Sequence, residues 1–174
     1  MQKEQAKKGP QGLQFNPCGP LHERDNPLKS KSYPAMMHEI FVYGTLREGY
    51  PNHHHNVGTR SSGTFRTVAM FPLVLNGQRN SPCLIDAPGK GFRVRGEVYR
   101  VDEAGLALMD KLERIEAADG YHRRKIQITS DAQSVPARVS VFAYLKTEDS
   151  VHDIRHGPFP EYTLKHASLY RPRN

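Results

Sequence analysis

The sequence lacks tryptophan and holds only two cysteines, Cys18 and Cys83, in 174 residues. Two cysteines cannot build a disulfide scaffold, so the expected setting is a reducing, cytoplasmic one. No stretch approaches the ~18 apolar residues of a membrane-spanning helix. The N-terminus also lacks the apolar core of a secretory signal, and no membrane partner is expected. There is no Gly-x-Ser-x-Gly nucleophile elbow and no glycine-rich phosphate loop. Those absences set aside the common serine-hydrolase and nucleotide-phosphate chemistries. The neighbouring histidines His53-His54-His55 cannot all aim at one ion from a regular element. No second Cys, His or Asp cluster has ligand spacing, so neither a metal nor another cofactor is expected.

Positive charge is plentiful: the formal net charge is +7 and the pI about 9.5. Such an excess raises non-specific attraction to nucleic acid without saying anything about fold. Six Lys or Arg fall within residues 1–36, however, against three acids. No basic stripe with aromatic residues supports a nucleic-acid partner, and none is expected. Residues 1–36 also carry Pro10, Pro17, Pro20, Pro27 and Pro34. Their few apolar residues show no period, so they read as a disordered or loosely attached extension. Residues 37–174 read as one domain. Nothing in the pattern specifies an oligomeric state.

Within that domain the spacing predicts mostly strands. Residues 40–43 form a compact β-branched and aromatic run stopped by Gly44 and Thr45. Residues 51–58 read as loop or short helix. Strands are expected over 65–71 and 73–75, the two parted by Pro72, with a turn at Asn76-Gly77. Further strands are expected over 93–101, 124–129 and 137–145, the last starting after Pro136 with Val139, Val141, Ala143 and Leu145 facing one way. One strong helix is expected over 102–115, with Asp102 as N-cap and Glu103 in the first turn. Leu106, Met109 and Leu112 form its apolar stripe, widened by Leu108. Mostly strands with one central helix defines a mixed α+β domain.

Glu113 falls on the wrong face of that helix. With Leu106 at zero, Met109 lies at about 300°, Leu112 at about 240° and Glu113 at about 340°. A carboxyl beside a core stripe needs a partner or a raised pKa. The second condition suits an acid–base catalyst near neutral pH. The plainer alternative is a structural ion pair with Arg123 or Arg124. Glu116 would also point inward if the helix ran one turn further.

Val42-Tyr43-Gly44-Thr45-Leu46 is a strand leading into a glycine exit. Gly44 can adopt positive φ, and outward N–H groups there would make an anion-binding nest. The same residues also suit an ordinary turn. Cys83 has no base beside it in sequence and reads as a buried apolar residue.

These residues together resemble the γ-glutamylcyclotransferase-like superfamily, and within it the γ-glutamylamine cyclotransferases. The resemblance rests on Phe41-Val42-Tyr43-Gly44-Thr45-Leu46-Arg47 with Gly49-Tyr50-Pro51-Asn52-His53. It continues through Phe71-Pro72-Leu73-Val74, Gly96-Glu97-Val98-Tyr99 and Met109-Asp110-Lys111-Leu112-Glu113, then Tyr121 with Arg123. Tyr170-Arg171-Pro172-Arg173-Asn174 is similar to that branch's C-terminus. The resemblance implies a small mixed barrel-like sheet with a cavity beside the Tyr-Gly-Thr-Leu loop. It implies Glu113 as catalyst, with Tyr43, Gly44, Thr45, Leu46 and Tyr121 around a small γ-glutamyl substrate. The implied reaction closes the γ-glutamyl group to 5-oxoproline and frees an amine, such as lysine from γ-glutamyl-ε-lysine. Two alternatives are a cyclotransferase for other γ-glutamyl amino acids or conjugates, and a non-catalytic ligand-binding module. Residues 1–36 have no counterpart in the family, residues 114–120 differ from the branch, and Ser81-Pro82-Cys83 stands where relatives carry bulkier residues.

Overall fold

A computed structural model describes residues 36–132 and 137–172 of the chain. The expected extension, apart from Met36, lies outside the described residues, as do Cys18, Pro136, Arg173 and Asn174. In chain order the strands are β1 (His38–Val42), β2 (Thr59–Arg60), β3 (Phe65–Thr67), β4 (Leu73–Asn76), β5 (Ser81–Leu84) and β6 (Arg95–Val101). The helix α1 (Glu103–Leu112) follows, then β7 (His122–Ser130), β8 (Arg138–Leu145), β9 (Ile154–His156) and the short helix α2 (Leu164–Ala167).

The main sheet runs β1-β8-β7-β3-β6, and β6 pairs back onto β1, closing a five-stranded barrel; β2 is added alongside β6. Only β1–β8 is parallel, through Ile40 and Phe142. The closing pair is antiparallel, from His38 opposite Val101 to Val42 opposite Glu97. Closure removes the unpaired edges that an open sheet would expose. A second, three-stranded sheet has the order β5-β4-β9.

Alternation along the strands builds two cores. Phe41, Val98, Ile126, Ile128, Val141, Ala143 and Leu145 cluster on one face. Ile40, Val42, Tyr99, Val101 and Tyr144 point the other way and pack against Leu106 and Met109 of α1. A five-stranded barrel is too narrow to enclose a helix, so the first cluster is the barrel interior. Both clusters draw on β8, so Tyr144 is buried as fully as the expected Val141, Ala143 and Leu145. Val139, expected on the same face, is 40% exposed near the start of the strand.

Helix α1 begins where expected: the Asp102 carboxylate accepts from the Gly105 N–H at 2.8 Å. It ends sooner than expected, at Leu112, because Arg114 takes a left-handed φ of 54°. Leu108 does not widen the buried stripe; it is 55% exposed. Among the described residues no helix is long and apolar enough to cross a membrane.

Candidate active site

Glu113 is the C-cap of α1, with φ −82° and ψ −1°, still in helical backbone geometry. Its N–H donates to Met109 O at 2.9 Å, and its carbonyl accepts from the Tyr121 N–H at 3.0 Å. The intervening loop is folded tightly on itself. Arg114 grips Asp119 through two hydrogen bonds of 3.0 and 2.8 Å. Gly120 lies so close that a Cβ there would sit 1.7 Å from the Arg114 carbonyl oxygen, so only glycine fits. The helix on one side and this clipped loop on the other fix the direction in which Glu113 leaves the backbone.

That direction meets the exit loop of β1. Tyr43, Gly44, Thr45, Leu46, Glu113 and Tyr121 all line one cavity of about 450 Å³. Glu113 is the one carboxyl among the described residues lining it. The rival Glu116 is exposed on the loop. Of the two arginines considered as structural partners, Arg123 donates to Asp110 at 2.6 Å, and Arg124 pairs with Asp86.

The exit loop is held from several directions. Arg47 N–H donates to Gly44 O at 3.2 Å, and Asn52 N–H to Thr45 O at 3.0 Å. Asn56 Nδ2 donates to Leu46 O at 3.1 Å. All three carbonyls therefore have donors inside the protein. The next residue, Arg47, is buried and joins Glu97 at 3.3 Å, Glu161 at 3.3 Å and the Tyr162 carbonyl at 2.9 Å. This pair, from two separate sequence motifs, anchors the loop to β6 from behind.

Gly44 is needed for a different reason than expected. Its φ is not positive. A Cβ at this position would instead lie 2.8 Å from Pro82 Cγ on β5, so the glycine permits close approach of that strand. Cys83 beside it is buried as expected, but it is not purely apolar: its Sγ lies 3.3 Å from the Tyr121 hydroxyl.

The cavity walls hold neutral polar groups. The Tyr43 hydroxyl donates to Tyr144 O at 2.8 Å and accepts from Leu84 N–H at 3.3 Å. Burial pushes its pKa up, and the nearby Cys83 and Glu113 add to that. The Tyr121 hydroxyl donates to Pro82 O at 3.2 Å. Its pKa is raised by burial first, then by Cys83, Tyr43 and Glu113. Burial also pushes the Cys83 thiol up, outweighing the Tyr121 hydroxyl and the Lys146 ammonium. Two phenols and a thiol thus stay protonated at neutral pH, and the reactive thiolate is suppressed.

Sequence reasoning missed the far wall. The Tyr170 hydroxyl accepts from Asn52 Nδ2 at 2.9 Å and from Arg79 Nη2 at 3.1 Å. Asn52 Nδ2 also donates to Thr45 Oγ1 at 3.0 Å, which ties the C-terminal segment to the exit loop. The only signal available for this clasp was the similarity of residues 170–174 to one family branch. His53–His55 form a 3₁₀ turn, and among the described residues no group of three or more His, Cys, Asp or Glu is placed to hold a metal.

A barrel with a walled cavity, in which one carboxyl among the described lining residues meets a strand-exit loop, has a pocket of a size for a small molecule. The chain belongs to the family described as γ-glutamyl cyclotransferase, AIG2-like, which it matches over residues 40–161. It is 35% identical over 159 residues to the γ-glutamylaminecyclotransferase of Bos taurus, covering 87% of this chain and 92% of that protein. It is 37% identical over 117 residues to the Homo sapiens γ-glutamylaminecyclotransferase, covering 61% and 75%. The crystal structure of an AIG2-like protein from Mus musculus superposes with a TM-score of 0.65 at 33% identity, covering 79% of this chain and 97% of that one.

Proposed function

We propose that this protein is a γ-glutamylamine cyclotransferase, with residues 37–174 as its catalytic domain and Glu113 as its acid–base group. The observation that carries the reading is the meeting of Glu113 and the loop of Tyr43, Gly44, Thr45 and Leu46 in one cavity. Relatives that bear the name γ-glutamylaminecyclotransferase support it.

The substrate's γ-glutamyl portion enters that cavity. N–H groups of Gly44, Thr45 and Leu46 hold its charged oxygens and the oxygen that gains charge during reaction. Tyr43 and Tyr121 form the walls. Glu113 takes a proton from the α-ammonium, and the freed nitrogen attacks the γ-carbonyl carbon. A C–N bond closes a five-membered ring. As the tetrahedral centre collapses, the bond to the leaving nitrogen breaks, and Glu113 returns the proton to that nitrogen. Nucleophile and carbonyl belong to one molecule, so the protein has only to fix the conformation in which they meet. Attack leaves the ring nitrogen with two hydrogens. Glu113, emptied of the first proton, takes the second, which also ends on the departing amine as it leaves as an ammonium. Protons therefore balance, and no covalent enzyme intermediate forms.

The test is 5-oxoproline release from γ-glutamyl-ε-lysine by the wild type and by Glu113→Gln, with folding verified for both. The expected loss in the variant is about 10²–10⁴-fold, the usual worth of a general acid–base group. Equal rates would remove Glu113 from its role. Ligand binding by the wild type without release would favour a non-catalytic module.

A further inference from the structure

A second cavity, of about 400 Å³, adjoins the first. The two share Arg79, Ser81, Leu112, Glu113 and Tyr121, so Glu113 stands where they meet. In a reaction that ends with Glu113 protonating a departing nitrogen, that nitrogen lies within reach of the carboxyl, and the rest of the departing half extends from it away from the γ-glutamyl half. The exit loop borders only the first cavity, which leaves the second for the amine.

The charge of the second cavity then indicates which amine. Arg114 and Asp119 line it, but they satisfy each other through their two hydrogen bonds. Lys146 lines this cavity and not the first. It is only 8% exposed. Its ammonium donates to the Asp119 carbonyl and sits 4.6 Å from the centre of the Tyr121 ring. Neither a peptide carbonyl nor a ring face cancels a cation's charge; besides Asp119, the carboxyl that shares this cavity with Lys146 is that of Glu113. The guanidinium of Arg79 likewise uses neutral acceptors, the Arg171 carbonyl at 3.0 Å and the Tyr170 hydroxyl at 3.1 Å. A buried cation becomes favourable when an anion joins it.

We propose that the second cavity binds the leaving amine and that Lys146 selects amines bearing a carboxylate. The proposal rests on the cyclotransferase reading above. It makes Lys146, the residue just past the end of β8, a specificity-determining residue on the side of Glu113 away from the exit loop.

The test compares γ-glutamyl-ε-lysine with γ-glutamylcadaverine, which differs only by loss of the lysine carboxylate. The wild type is expected to favour the lysine conjugate in kcat/KM by about 10- to 100-fold, the worth of a hydrogen bond to a charged group. In Lys146→Met that ratio should collapse toward one, chiefly through the KM of the lysine conjugate. Lys146→Arg should restore part of it. Equal losses on both substrates would overturn the proposal, since they would mean that Lys146 only props the loop at Asp119. Absence of preference in the wild type would overturn it as well, while leaving the cyclotransferase reading intact. Release of 5-oxoproline from neither substrate by the wild type is the separate result that defeats the underlying reading, and the proposal with it.

Discussion

Glu97 is 4% exposed, and burial by itself would push its carboxyl up. The Glu48 N–H, the Tyr99 hydroxyl, Arg47 and Arg60 outweigh that, and its pKa falls below the ordinary 4.5. A carboxyl whose pKa is lowered by folding stabilises the fold above its unfolded pKa. That contribution disappears as pH falls through the folded value. The unfolding midpoint of the wild type should therefore drop as pH is taken below 4.5. Glu97→Gln should lose that part of the pH dependence and cost about 3 kcal/mol at pH 7, as breaking one side of a buried ion pair does. Thermal melts of both proteins across pH 3 to 7 check this, and matching slopes would mean that other carboxyls set the acid limit. Glu113 and Glu97 differ in how far the sequence reveals them. A helical wheel places Glu113, because its position depends only on its own helix. The partner of Glu97 is 50 residues away, and only barrel closure brings the two together.

At the scale of elements, the exit loop and β5 form one unit. Pro82 lies in β5, an outer strand of its sheet, where its missing N–H costs no ladder bond. That proline also hid the strand from sequence reading, because a proline within an apolar run argues against a strand. The two-residue β2, the three-residue β9 and the four-residue α2 escaped for a simpler reason: they are too short to show a period. The longer elements β6, β7, β8 and α1 were legible from alternation and stripe, with errors confined to their ends. Contact between β5 and Gly44 leads to a prediction. Gly44→Ala puts a methyl group against the Pro82 ring, which cannot swing aside as a flexible chain end would. The expected cost is about 1–3 kcal/mol of stability. Turnover should fall with it, because the displaced loop carries the proposed oxyanion donors. A crystal structure of the variant with an unmoved loop would refute this.

For the whole molecule, the seam that closes the barrel runs, among the described residues, from His38 opposite Val101 to Val42 opposite Glu97. A chain starting at Met37 is expected to fold and to release 5-oxoproline at a rate of the same order as the full chain. Steady-state assays of the two check it, and loss of turnover in the shorter chain would place part of the machinery in residues 1–36. The α+β class and the strands β1, β3, β4, β6, β7 and β8 could be read from the pattern alone, since they follow from local periodicity, whereas their division between two sheets could not. Closure of the sheet into a barrel could not, because the β1–β6 and β1–β8 pairings span most of the domain and no local signal encodes them.

The clasp of Tyr170 on Asn52 and Arg79 has a consequence for timing during synthesis. The exit loop, Glu113 and Tyr121 all precede it in the chain, yet the wall that Tyr170 supplies is made last. At about 5–20 residues per second, several seconds of translation separate Glu113 from Tyr170. During that interval the ribosome carries a chain with its proposed catalytic carboxyl already synthesised and its cavity still open on one side. Until Tyr170 is made that wall is missing, so a nascent chain has little opportunity to hold substrate before that point.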